Sequence, residues 1–197
     1  MYDTLTSFTP DGKLEPAVAT QWKFNSNATS LEVTLRSDVT FHDGSKLTAA
    51  DVAYTLDRTK QLNVGAAAFI ATYASAKVAD DTHLTITLSK PTTTFPQALS
   101  KIYILNEALV KKEGSAADSG QQWLATHDAG SGAFTLTSYT AKQTAQFDRY
   151  AHYWAYEATR PAYLQFTYLS DSATIREEMQ AGDLDLATGT SLATVDL

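Results

Sequence analysis

A chain of 197 residues with net charge −7, 44% hydrophobic and 19% charged residues can bury a core, and its composition excludes a disordered polymer. The acidic balance disfavours nucleic acid as a partner, because phosphate binding needs a basic face. With no cysteine there is neither a disulfide framework nor a thiolate metal site, and no apolar run approaches the ~20 residues of a membrane span.

The chain opens on Tyr2-Asp3-Thr4-Leu5 with no basic stretch leading into an apolar one, so no signal peptide is read in it. Pro10-Asp11-Gly12 is a turn, and Trp22 is read as a core anchor because of the area a tryptophan buries. Leu31, Val33 and Leu35 alternate with Glu32, Thr34 and Arg36, the pattern of a half-buried strand. Val39 and Phe41 read as its continuation past Ser37-Asp38. His42-Asp43-Gly44 is a turn, since Gly tolerates positive φ and Asp can bond the backbone that follows it. Thr48 is then a helix N-cap with Asp51 three residues on, and Val52 and Leu56 share one face of the helix that runs to Arg58.

Gln61 to Ala79 is rich in alanine, with Phe69 and Tyr73 at i, i+4 in a short helix or loop that packs both rings. Val78 to Leu88 reads as a turn and a strand with Leu84, Ile86 and Leu88 on one face. Asp80 and Asp81, adjacent in that turn, point apart into water and do not make a catalytic pair. Pro91 ends the strand, and Phe95 to Leu105 reads as a helix leading into an apolar strand centred on Tyr103. Glu107 to Gly114 is a short helix with Gly114 as its C′ residue, followed by a surface loop over Ser115 to Gln121.

Gly130-Ser131-Gly132 precedes a strand but lacks the Lys and Ser/Thr of a phosphate-binding loop, so the glycines are read as a crossover that needs unusual φ/ψ. Arg160 to Tyr168 gives another strand. Asp171 or Ser172 caps a helix with Ile175 and Met179 on one face and Gly182 as C′, and Asp183 to Ala187 reads as a strand after it. Arg149 and Arg176 are candidates for an anionic ligand, although Arg176 sits on a helix face that reads as solvated.

Four histidines are present, His42, His83, His127 and His152, and no two have metal-ligand spacing. No nucleophile elbow and no HExxH is present. No catalytic residue, metal or cofactor is therefore expected.

The segment from Leu35 to Arg58, LRSDVTFHDGSKLTAADVAYTLDR, resembles the signature of the family 5 extracellular solute-binding proteins, the peptide- and nickel-binding receptors of ABC importers. Asp38 replaces the usual Gly and Lys46 the usual Pro. Leu14 to Ala19, Trp22, Val78 to Leu88, Gly130 to Leu136 and Ala145 to Trp154 are similar to further motifs of that family, with Ala133 in place of Pro and Tyr150-Ala151 in place of Asn-Pro. The resemblance runs from Tyr2 to Ala187.

The resemblance implies an α+β fold, a type II periplasmic-binding-protein-like lobe with a mixed β-sheet, flanking helices and an inserted α+β subdomain. Residues 1–25 and 130–197 would belong to the first lobe and 26–129 to the inserted subdomain, with the second lobe absent from this chain. Tyr2 to Leu5 would end a helix that follows a missing first strand. The implied function is the substrate-binding receptor of an ABC importer, not an enzyme, binding di- or oligopeptides outside the cytoplasmic membrane. A nickel, metal-chelate or other small-solute receptor, or a sensory module on the same fold, are the alternatives. Phe69 and Tyr103 are the candidate ligand contacts. His42, Asp43, Gly44, Asp51, Gly130, Gly132 and Trp154 would be scaffold. Implied partners are a peptide or other small solute and permease subunits in the membrane, with no nucleic acid. The location would be periplasmic or lipid-anchored at the cell surface, with the signal peptide outside this chain. Lacking its second half, the chain would expose sheet edges beside Thr4-Leu5 and Leu184-Leu186 and self-associate through them.

Overall fold

The structure, a computed structural model, describes residues 1–188. Strands β1 (Thr6–Phe8) and β2 (Leu14–Pro16) form a hairpin whose turn is closed by Gly12 at φ +83°. Next come β3 (Ala19–Phe24), β4 (Ser30–Leu35), α1 (Ala49–Leu62), β5 (Tyr73–Asp80) and β6 (His83–Leu88). The four strands build one antiparallel sheet in the order β3-β4-β6-β5. The period-2 pattern sets its register: Leu31 lies opposite Ile86 and Val33 opposite Leu84, and all four are buried. Val52 and Leu56 of α1 cover this face, joined by Phe95 and Leu99 of α2 (Phe95–Leu99). Trp22 is only partly buried at the margin of this core.

A second, smaller cluster of Leu105, Val110 and Ala129 forms around α3 (Glu107–Glu113) and α4 (Gln121–Leu124), with Tyr2, Tyr54 and Trp123 packed on it. The chain then makes an antiparallel meander of β7 (Phe134–Thr140), β8 (Thr144–Arg149) and β9 (Tyr163–Thr167). Helix α5 (Ser172–Ala181) follows. The Asp171 carboxylate accepts the Thr174 N–H at 2.8 Å at its start, and Gly182 ends it at φ +82°.

Several expected elements are different in the structure. Tyr2 to Leu5 is not helical, because its carbonyls are engaged from outside: Asp3 accepts the Ile104 N–H at 3.0 Å, Thr4 that of Val18 at 3.2 Å and Leu5 that of Ala19 at 2.9 Å. The edge expected to be open beside Thr4-Leu5 is therefore occupied. Val39 and Phe41 are buried but form no strand. Their backbone groups close a tight loop instead, Phe41 with Ser45 at 2.8 Å and Val39 with Leu47 at 3.1 Å. Phe69 and Tyr73 do not pack together. Phe69 sits exposed in a 3-10 turn (Gly65–Ile70), whereas Tyr73 starts β5 and is buried.

The segment after α2 is no strand, although Ile102, Ile104 and Leu105 are buried. Gly114 ends α3 at φ −87°, so left-handed backbone is not its reason. A Cβ there would come within 2.7 Å of the Gly120 Cα. Residues 115–121 contain a 3-10 turn (Ala116–Asp118) and the start of α4. Asp183 to Ala187 forms no strand. Strand β3 lies before residue 26 yet pairs with β4 beyond it. Residues 189–197 of the expected first-lobe segment lie outside the described residues.

Candidate functional site

The scaffold residues converge where the 41–45 turn meets the segment that leads into β7. The His42 N–H donates to the Gly130 carbonyl at 2.9 Å. Its ring reaches both ends of the same segment, Nδ1 lying 2.7 Å from Asp128 Oδ2 and Nε2 2.8 Å from the Gly132 carbonyl oxygen. Asp128 also accepts the Gly130 N–H at 2.8 Å and the Leu136 N–H at 3.0 Å. Burial alone would raise the Asp128 carboxyl, but His42 and these backbone donors outweigh it and hold the group below the usual carboxylate range. Gly44 takes φ +86° in the turn. Asp43 accepts from the Ser45 N–H at 2.9 Å and from Asn106 Nδ2 at 2.9 Å, which ties the turn to α3.

Asp51 performs two tasks. Its Oδ2 accepts the N–H and the hydroxyl of Thr48, each at 2.9 Å, and its Oδ1 accepts the Glu107 N–H at 2.9 Å. The Asn106 side chain caps α3 by accepting the Leu109 N–H at 3.0 Å. Burial pushes the Asp51 carboxyl up, against the opposing pull of these donors.

Gly130 and Gly132 are not at positive φ, so the expected reason for them is replaced by another. The N-terminal segment passes so close that a Cβ on Gly130 would overlap the Met1 carbonyl oxygen, and one on Gly132 would sit 2.8 Å from the Met1 carbonyl carbon. Between them Ser131 donates its hydroxyl to Asp3 at 2.9 Å, and Asp3 also accepts from Tyr153 Oη at 3.1 Å and Trp154 Nε1 at 3.3 Å. Burial raises the Asp3 carboxyl, and its three side-chain donors oppose that rise. The Arg36 guanidinium lies 3.8 Å over the Trp154 ring. Sequence reasoning missed Asp3 and Asp128. The signals were an acid inside the apolar Tyr2–Leu5 stretch and an Asp two residues before a glycine, the spacing of an Asx turn.

The two candidate ligand contacts are exposed aromatics flanked by buried residues. Phe69 is 56% exposed and Tyr103 60% exposed, although Ile102 and Ile104 on either side of Tyr103 are buried. The 3-10 turn bearing Phe69 packs against α2, and Tyr103 follows that helix within four residues. The Tyr2 ring lies 6.0 Å from that of Tyr103, and burial pushes the Tyr2 phenol up to about 12. Phe69 offers an apolar face to a ligand, and Tyr103 an apolar face with a polar tip. Arg149 Nη1 is committed to the Ala158 carbonyl at 2.8 Å and the Arg160 carbonyl at 2.6 Å, which takes it away from an anion. Between α1 and α3 lies a groove of about 520 Å³, where Arg58 bonds the Ser119 carbonyl at 2.7 Å and Lys111 bonds Glu107 at 2.5 Å. Among the described residues no group of three or more His, Asp or Glu side chains is placed to hold a metal ion, and no helix is long and apolar enough to cross a membrane.

A family model described as "Bacterial extracellular solute-binding proteins, family 5 Middle" matches residues 13–197. The probable D,D-dipeptide-binding periplasmic protein DdpA of Escherichia coli is 27% identical over 94% of this chain and 37% of its own length. The dipeptide-binding protein DppE of Bacillus subtilis is 25% identical over 93% of this chain and 36% of its own. The chain thus spans little more than a third of these relatives. Among solved structures, NikZ of Campylobacter jejuni in complex with Ni(L-His) superposes with a TM-score of 0.84 at 24% identity, over 93% of this chain and 36% of that one. At that identity the likeness speaks for the fold, an α+β lobe of the periplasmic-binding-protein kind.

Proposed function

The chain belongs to the bacterial extracellular solute-binding proteins, family 5, and from that premise we propose that it works as the substrate-binding component of an ABC-type importer for di- or oligopeptides. In this reading it acts outside the cytoplasmic membrane, in the periplasm or anchored at the cell surface, and hands its solute to permease subunits in the membrane. Residues 1–25 and 130–197 belong to the first lobe and 26–129 to an inserted subdomain, with β3 of the first segment pairing across that division with β4. Relatives named as dipeptide-binding proteins support the ligand class.

The observation that carries the proposal is the exposure of Phe69 and Tyr103 on supports that are themselves buried. Aromatic side chains left out of a core while their neighbours enter it are placed to meet something from outside. A peptide presents both apolar side chains and backbone polar groups to such rings. The test is mass spectrometry of the small molecules released when the full gene product, isolated from its own cells, is denatured. Peptides of a few residues are expected. A nickel chelate, or no peptide at all, would overturn the proposal.

A further inference from the structure

The groove between α1 and α3 contains a half-buried cation that the fold leaves without an acid. The Arg58 Nε–H donates to the Ser119 carbonyl at 2.7 Å, across 61 positions of sequence. Ser119 and Gly120 both take left-handed backbone there, at φ +54° and +73°, which Ser as an L residue ordinarily avoids. The loop is pressed onto α3 with no room to spare, since a Cβ on Gly114 would come within 2.7 Å of the Gly120 Cα. The guanidinium is thus fixed in the groove wall. Among the described residues no carboxylate lies within ion-pair distance of it. No other described residue takes a hydrogen bond from the Arg58 Nη groups or the Tyr54 hydroxyl, and these atoms remain open to solvent.

The other charges of the groove are already engaged. Lys111 bonds Glu107, with its amine 5.4 Å from the centre of the Tyr54 ring. Asp57 accepts the Tyr73 hydroxyl at 2.6 Å. Ala50, Ala53, Val78 and Val110 supply an apolar wall, and the volume of about 520 Å³ suits a small molecule.

We propose that this groove is a binding site for a small monocarboxylate with an apolar, aromatic-sized body, held by Arg58 and Tyr54. A carboxylate meets a guanidinium fork in its own plane, and an Arg already oriented by its Nε loses little freedom on binding. The Tyr54 hydroxyl donates to the same group, and the ligand body lies along the apolar wall. The Asp57 and Glu107 carboxylates beside the site repel a second negative charge, which favours a monoanion over phosphate. Neither Phe69 nor Tyr103 lines the groove, so the inference does not rest on the peptide reading.

The carboxylate can belong to a simple acid or to an amino acid, and 3-phenylpropanoate and L-phenylalanine separate the two. Each is titrated into the nitrogen-15-labelled 197-residue chain, followed by NMR at the Arg58 Nε–H and the Ser119 and Gly120 amides. Saturable shifts at these groups are expected with 3-phenylpropanoate, with L-phenylalanine or with both, and with neither 3-phenylpropanamide nor inorganic phosphate. Arg58→Gln should weaken binding by about tenfold or more, and Tyr54→Phe, which keeps the ring, by about two- to tenfold. Shifts that fail to saturate with both acids up to about 10 mM would overturn the proposal. So would binding of the amide as tight as that of the acid, or an affinity that Tyr54→Phe and Arg58→Gln both leave unchanged.

Discussion

Asp51 and Glu107 lie 56 positions apart and are joined by one hydrogen bond, the Glu107 N–H donating to the Asp51 carboxylate at 2.9 Å. Through this bond the carboxylate that caps α1 also fixes the start of α3. The joint continues from Asn106 through Asp43 to the 41–45 turn.

Asp51→Ala should therefore cost more than an ordinary cap. Loss of the cap costs about 1 kcal/mol, and a buried N–H left without a partner adds about 1–3 kcal/mol. Urea unfolding should show a fall of ~2–4 kcal/mol in total. An unfolding midpoint equal to the wild type would remove Asp51 from the joint.

Gly132→Ala tests close approach as the reason for that glycine. The added Cβ would sit 2.8 Å from the Met1 carbonyl carbon, so the N-terminal segment must move. Overpacking of this kind costs about 1–3 kcal/mol. Gly12→Ala has open space around it and suffers only from its φ of +83°, at about 1–2 kcal/mol. In thermal melts the first variant should also lose the ordered N-terminal contacts to Gly132, and the second should keep them. Retention of those contacts in Gly132→Ala would refute the packing argument.

Locally coded features were legible in the sequence. The alternation in β4, the Thr48–Asp51 pair, the Gly44 turn and the capped α5 all depend on residues within a few positions of one another. What the sequence could not show was which distant segment lies alongside. Tyr2 to Leu5 lost its expected helix because Ile104 and residues 17–19 take its carbonyls. Gly130 and Gly132 looked like unusual backbone, whereas their reason is the neighbouring Met1 and Tyr2. Phe69 and Tyr73 satisfied a helical spacing, and the strand beginning at Tyr73 separated them. Asp3 and Asp128, both central to the joint, carried no periodicity that would single them out.

Acid should weaken the joint through Asp128. A carboxyl held below its ordinary value contributes stability that is complete above the unfolded value, about 4, and is lost as pH falls through the folded value. Asp3 and Asp51 run the other way, since burial raises both. Asp128→Asn should cost about 1.5–3 kcal/mol at pH 7 and should flatten the acid side of the stability curve. A slope below pH 4 matching that of the wild type would show that Asp128 is not the group responsible.

Phe69→Ala and Tyr103→Ala should leave folding almost untouched, within ~0.5 kcal/mol, because both rings are exposed. Each should reduce the thermal shift that a bound peptide confers on the full gene product. An undiminished shift in both variants would place the ligand elsewhere.

The central claim is that a peptide is the solute. Calorimetric titration of the full gene product with a pool of di- to pentapeptides tests it most directly, with nickel–histidine chelate as the parallel titrant. Saturable one-site binding of peptide, weakened about tenfold by Tyr103→Ala, is the expected result. Saturation by the nickel chelate with no heat from any peptide would contradict it.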